Sequence, residues 1–241
     1  MLITHLDVAG IEGDSNSSAA YYPQFLTHLM QEIRNRISPN TQQAGFWPNS
    51  GGATGPAQGT AWPPSVPAEV GGPRFWNRAV GGYQTSDVAA QIATDLAVQP
   101  ATTAVFIAIG VNDAFHGVAP ATTSSNLKTC LDAVVAAGIT KCMVIGPLCI
   151  GEKTDGTNGH DADIIATNNA MATRTALYPS FDYVNLRTDV FDVWEPILNV
   201  PSPGQFNGPL TLLDPVGNAA HYNPTGIRFC VETCLRKITI S

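Results

Sequence analysis

AVFIAIGVND, residues 104–113, is a run of six apolar residues that passes directly into a glycine, a valine and two polar side chains. An unbroken apolar run of this length suits a strand buried on both faces, the pattern of parallel sheets, rather than a half-solvated strand with alternating character. Toward the C-terminus two more runs follow, KCMVIG at 141–146 and DYVNL at 182–186. Toward the N-terminus lie a short candidate, RFWNRA at 74–79, and a weaker first strand at 2–9.

Helical periodicity fills the intervals. Tyr22, Phe25, Leu26, Leu29 and Ile33 recur at helical spacing. Val88, Ile92 and Leu96 follow Ser86, a residue suited to an N-cap. Leu127, Leu131, Val134 and Val135 form a third stripe, and Gly138 suits its stop. A less regular helix is expected over 160–177. The last begins at Asn223-Pro224, a cap followed by a proline at the first helical position, and turns Ile227, Val231, Leu235 and Ile238 inward. Strand and helix alternate along the chain, which predicts a three-layer α/β/α sandwich. Ligands of such sheets bind beyond the carboxyl ends of the strands. The loops after the strands are therefore where chemistry is expected.

The 241 residues suit one domain, 1–241, without repeat or linker. One stretch breaks the pattern. Residues 38–73 are rich in Gly, Pro, Ser and Asn and carry Phe46, Trp47 and Trp62. A long insertion of this kind is usually functional or mobile.

A hydrophobic content of 44% supports a sizeable core and argues against disorder. With 12 basic and 19 acidic residues the formal net charge is -7, and no Lys or Arg run offsets it. No nucleic-acid partner is expected. No stretch of 18 apolar residues is present, so no membrane-spanning helix is expected. The first residues lack a basic segment followed by a long apolar one, unlike a signal peptide. That fits a cytosolic protein, a mature form or an excised extracytoplasmic module. Cys130, Cys142, Cys149, Cys230 and Cys234 make an odd count, which leaves a free thiol in a monomer. They read as small buried hydrophobes. No close cysteine pair with convenient histidines suggests a metal site.

Four loops carry candidate chemistry. Gly13-Asp14-Ser15 ends the first strand, and Ser15 meets the start of helix-forming sequence. Unpaired N–H groups at a helix start favour negative charge, which suits a nucleophile whose attack creates an oxyanion. The segment NRAVGGYQTS, 77–86, follows a short strand, and its glycines permit close backbone approach to a ligand. Asn112, in GVNDAFHG at 110–117, can donate from its side-chain amide to a developing oxyanion. His221, in HYNPTG at 221–226, can act as general base toward a serine hydroxyl. His116 could line the same cleft.

In the order Ser, Gly, Asn, His, these blocks resemble the SGNH hydrolase superfamily, also called the GDSL esterase/lipase family. The resemblance spans nearly the whole chain and includes the IGP turn at 145–147. It implies a flavodoxin-like sandwich with about five parallel strands. It implies Ser15 as nucleophile, its own N–H with the Gly82 N–H and the Asn112 side chain as oxyanion hole, and His221 as the proton carrier. Gly82 stands five residues after Asn77, as in the family's second block. The family's Asp three residues before the histidine is replaced here by Asn218. The corresponding Asp-to-Asn change in a serine protease costs about 10⁴ in turnover. Asp214, seven residues before His221, is the alternative third member, and a backbone carbonyl orienting a Ser-His dyad is another.

The expected activity is hydrolysis of carboxylic esters through an acyl-enzyme, without metal or cofactor. Small acyl groups, acetyl on a carbohydrate among them, are the expected substrates. Trp47 and Trp62 could stack on sugar rings or cover an acyl chain, or else hold the insertion down as a small satellite core. Lysophospholipase or thioesterase activity, and a non-catalytic binding module, are alternatives. A nucleotide or flavin binder is disfavoured because no phosphate-cradling glycine loop is present.

Overall fold

The computed structural model describes residues 1–4, 7–14, 25–37, 46–47, 74–148, 160–194, 222 and 224–240. The strands are β1 (Leu2–Ile3), β2 (Val8–Gly13), β3 (Phe46–Trp47), β4 (Arg74–Asn77), β5 (Ala104–Ala108), β6 (Lys141–Gly146), β7 (Phe181–Asn185) and β8 (Thr239–Ile240). The helices are α1 (Phe25–Ile37), α2 (Thr85–Val98), α3 (Val111–Phe115), α4 (Pro120–Ala136), α5 (Asp161–Thr175) and α6 (Pro224–Leu235). A π-helical turn, Arg187–Phe191, follows β7.

The central sheet runs β3-β4-β2-β5-β6-β7, and every pairing in it is parallel. Five strands make its body, and the two-residue β3 adds an edge. β1 and β8 form a separate parallel pair. The strand order reverses at β2. The chain leaves β2 toward β4 on one side and later places β5 on the other. Connections of one hand then put α1 and α2 on opposite faces. Accordingly α1 packs on α6, while α2 packs on α4 and α4 on α5.

Alternation along the strands feeds the two cores. In β5, Ala104, Phe106 and Ala108 face the α1/α6 side, and Val105 and Ile107 face the α2/α4 side. In β6, Met143 and Ile145 face the first side, and Cys142 and Val144 the second. Burying a side chain the size of Phe106 stabilises by about 1.5–3 kcal/mol. Because both faces are covered, apolar residues occupy successive positions, and this explains the unbroken run at 104–109.

The structure corrects four sequence readings. The first sheet strand is Val8–Gly13, not 2–9; Leu2–Ile3 pairs with the C-terminal strand instead. The N-cap of α2 is Gln84 rather than Ser86, because Asp87 Oδ2 accepts the Gln84 N–H at 2.8 Å. Val135 points outward from α4, while Leu127, Leu131 and Val134 are buried. Ile238 is buried but lies beyond the end of α6. At the end of α4, Gly138 has φ +75°. The Gly138 N–H reaches the Val135 carbonyl at 2.9 Å and the Ile139 N–H the Val134 carbonyl at 3.2 Å, closing the helix with a left-handed residue.

Candidate active site

The reversal of strand order opens a crevice beyond the carboxyl ends of β2 and β5, where doubly wound sheets bind ligands. Three chain segments converge on it. The first is the end of β2. Asp14 is buried, and its N–H reaches the Ala108 carbonyl of β5 at 3.3 Å.

The second segment is the connection from β4 to α2. Its backbone continues along β2 past the end of β4. The Arg78 N–H donates to the Ile11 carbonyl at 2.8 Å and the Val80 N–H to the Gly13 carbonyl at 3.0 Å. Buried Asn77 shapes this turn by accepting the Ala79 N–H on Oδ1 at 2.8 Å. Gly82 follows, exposed and with φ +83°. An L side chain would oppose that conformation by about 1–2 kcal/mol.

The third segment leaves β5. Gly110 has φ +112°, and a Cβ there would lie 3.0 Å from Met171 Sδ. That turn starts α3 within two residues of the strand and sets Asn112 in its first turn. Asn112 Nδ2 donates to the Tyr83 carbonyl at 2.9 Å. This bond brings Asn112 beside the residue that follows Gly82 and fixes the plane of the amide. The nitrogen carries two hydrogens, and this bond uses one of them.

Asp113 secures the arrangement from behind. It is fully buried. Its Oδ2 accepts the Thr85 N–H at 2.9 Å, and Oδ1 accepts the Thr85 hydroxyl at 2.5 Å and the Thr123 hydroxyl at 3.1 Å. One carboxyl thus ties α3 to the first turns of α2 and α4. On the far side, Asn168 Nδ2 donates to the Pro147 carbonyl at 3.0 Å, and Tyr183 donates its hydroxyl to Asn168 Oδ1 at 2.7 Å. Gly146 leaves no room for a Cβ, which would overlap Asn168 Oδ1 and the Tyr183 hydroxyl.

Tyr222 closes the crevice from below. It is buried, its ring lies 6.1 Å from that of Phe25, and its hydroxyl accepts the Leu148 N–H at 3.3 Å. Asp14, Tyr222, Ala108, Ile109 and Pro147 line one small cavity at the ends of β2, β5 and β6.

Of the residues singled out in the sequence, Gly82 and Asn112 are brought together. Ser15, His221, Asp214, Asn218 and Trp62 lie outside the described residues, as do Tyr22, Cys149 and Asn223. Trp47 sits in the edge strand β3, its backbone in register with Trp76. His116 is exposed and edge-on to Phe115 at 5.1 Å. Phe115 is itself 48% exposed and lies 5.5 Å from His160. Cys130, Cys142 and Cys234 are buried free thiols, and Cys230 is buried as well. Burial pushes those of Cys130, Cys142 and Cys234 upward, so they are poor nucleophiles. Among the described residues no group of His, Cys, Asp and Glu could hold a metal ion. None of their helices is long and apolar enough to cross a membrane.

Sequence reasoning passed over Asp113, Tyr222 and Glu12. Asp113 was visible as half of an Asn-Asp pair after a strand. Glu12 was visible as a charge within an otherwise apolar strand, VAGIEG, where ionisable residues are rare unless paired.

The family model described as GDSL-like lipase/acylhydrolase matches residues 40–228. The chain belongs to that family. This GDSL-like acylhydrolase is accordingly an ester-bond hydrolase, and its α/β sandwich is the SGNH hydrolase fold. No curated protein sequence matches it. Solved structures do. The acetyl xylan esterase AlAXEase aligns with a TM-score of 0.66 at 18% identity, over 95% of this chain and 99% of that one. A lipase/acylhydrolase from Enterococcus faecalis aligns at 0.61 and 14% identity, over 95% and 94%. A catalytic mutant of an acetylxylan esterase from Geobacillus stearothermophilus aligns at 0.63 and 12% identity, over 98% and 96%. At these identities the likeness is one of fold.

Proposed function

We propose that this GDSL-like hydrolase cleaves short acyl esters, acetyl groups on a carbohydrate foremost, through an acyl-enzyme on Ser15. The observation that carries the reading is the lining of one cavity by Asp14 and Tyr222. Ser15 is bonded to Asp14 and His221 to Tyr222, and consecutive Cα atoms are about 3.8 Å apart. The amide of Asn112, fixed by the Tyr83 carbonyl beside Gly82, supports the same reading.

In the proposed reaction Ser15 Oγ attacks the ester carbonyl carbon while its proton passes to His221. The Ser15 N–H, the Gly82 N–H and Asn112 Nδ2 donate to the oxyanion. The carbon–oxygen bond to the alcohol breaks, and His221 returns the proton to that leaving group. Water then attacks the acyl carbon by the same steps, releasing the acid and restoring Ser15. Asp214, Asn218 or a backbone carbonyl holds the second imidazole nitrogen. Comparing Asp214→Ala with Asn218→Ala for turnover selects among them; full activity in both leaves the carbonyl.

The substrate class draws on the exposed Phe115 and His116, one turn beyond Asn112, with His160 5.5 Å from the Phe115 ring, and on Trp47 and Trp62 of the sequence. Flat aromatic faces suit sugar rings. The acetylxylan esterases among the similar structures are in keeping with that class. Ser15→Ala is expected to abolish both hydrolysis of aryl acetate and covalent labelling by a fluorophosphonate. Equal rates for the two proteins would remove Ser15 as nucleophile. Equal activity on acetyl and long-chain esters would remove the preference for small acyl groups.

A further inference from the structure

The strand that leads to Ser15 carries an acid where the fold leaves no water. Period-two alternation puts Val8, Gly10 and Glu12 of β2 on the α2 side of the sheet. Glu12 is fully buried. Gln91 Nε2 from α2 donates to its Oε2 at 3.0 Å. Asp95, one turn further along α2, is also buried, and its Oδ1 accepts Arg78 Nε at 3.2 Å.

Two oxygens remain. Glu12 Oε1 and Asp95 Oδ2 are buried, and among the described residues no hydrogen-bond donor reaches either. Both carboxyls are driven toward the protonated form. Burial is the larger cause in each, and for Glu12 the neighbouring Asp95 charge adds to it. Two carboxylates in contact cannot both stay ionised beside one guanidinium. A single proton removes the conflict. Such a proton would bridge the two orphaned oxygens and leave one negative charge against Arg78.

We propose that Glu12 is a positioning residue of this hydrolase: it shares a proton with Asp95, and the bridged pair holds the end of β2 against the segment that carries Gly82. The backbone bonds of that segment flank the site, Arg78 N–H to Ile11 on one side and Val80 N–H to Gly13 on the other. The Arg78 side chain closes the loop through Asp95 back to Glu12. Gly13 and Asp14 follow Glu12 directly, and Gly82 follows Arg78 by four residues. Loss of the proton would set two charges against each other between the end of β2 and the segment that carries Gly82. The groups facing Glu12 are Gln91 and Asp95 of α2, Arg78 of the β4–α2 connection and the Cys130 thiol of α4. Its register partner on β5 is Ile107, and Tyr83 stands further along the connection. The role in catalysis rests on the serine-hydrolase reading above; the shared proton does not.

Infrared difference spectra of the full chain in light and heavy water read the proton directly. At neutral pH the wild type should show the carbonyl stretch of a protonated carboxylic acid, and Glu12→Gln should lack it. Absence of that band in the wild type overturns the shared proton, whatever the enzyme's activity. Kinetics test the positioning. A displacement of about 1 Å can cost 10²-fold, so Glu12→Ala should lower kcat by about tenfold to a hundredfold with KM little changed. Glu12→Gln, whose amide can donate to Asp95 as the acid does, should restore kcat and remove the alkaline decline of the wild-type profile. A band that vanishes in Glu12→Gln while Glu12→Ala keeps full kcat would overturn the positioning role. Should Glu12→Ala fail to fold, a Glu12→Gln profile with the wild-type alkaline decline intact overturns it equally.

Discussion

Asn112 makes one hydrogen bond that decides its use, from Nδ2 to the Tyr83 carbonyl at 2.9 Å. The net worth of such a bond is about 1 kcal/mol. In the proposed reaction its larger effect is to orient the amide toward the oxyanion. Asn112→Ala is therefore expected to cost little stability and to lower kcat by about 10²–10³, the price of one oxyanion donor. Steady-state rates alongside thermal unfolding check this; unchanged kcat would remove Asn112 from the oxyanion hole. Its place was legible in the sequence, because an amide directly after a buried strand must stand at the carboxyl edge of the sheet. The neighbouring Asp113 was visible beside it, but the clamp it forms was not. Its function lies in Thr85 and Thr123, and no spacing in the chain announces those partners.

Between elements, that same Asp113 joins α3 to α2 and α4. Asp113→Asn replaces an oxygen that accepts from Thr85 or Thr123 with a nitrogen that can only donate. A buried donor left unpaired costs about 1–3 kcal/mol. The variant should lose about that much stability in denaturant unfolding and lose turnover as well, since α3 carries Asn112. Wild-type stability would show that the clamp is dispensable. Element boundaries were harder to read than element types. The strand assigned to 2–9 contains Asp7, whose carboxyl accepts from Thr4, Thr103 and Lys141 at the near edge of the sheet. The true strand contains Glu12, whose charge disguised it. In both places a local polarity count misjudged a residue that distant partners satisfy.

Across the whole molecule, buried acids respond to pH in opposite directions. Burial works against the charge of Asp7, but the Lys141 ammonium at 2.7 Å and the Thr103 and Thr4 donors outweigh it and hold its carboxyl below the ordinary range. Stability from Asp7 is therefore present above its unfolded value, about 3.9, and lost as pH falls through the folded one. The stability gap between wild type and Asp7→Asn should shrink on acidification, measured by denaturant unfolding at stepped pH. Glu12 and Asp95 run the other way. Their folded values are raised. Their contribution is full below about 4.3 for the glutamate and is lost as pH rises through the folded value. Wild type should accordingly lose stability relative to Glu12→Gln from mildly acidic pH upward. A constant gap in either series would contradict the linkage it tests.

By itself the sequence determined the layered parallel architecture and the order of the Ser, Gly, Asn and His loops. Both rest on local signals: strand and helix periods are set by neighbours a few residues apart, and a loop's place at the sheet edge follows from the strand before it. Only the tertiary structure decided that Glu12 meets Asp95, that Asp113 receives Thr85 and Thr123, and that Tyr222 lies beneath the end of β2 with Asp14. Those contacts join residues far apart in the chain, and their energies depend on the burial that packing alone creates.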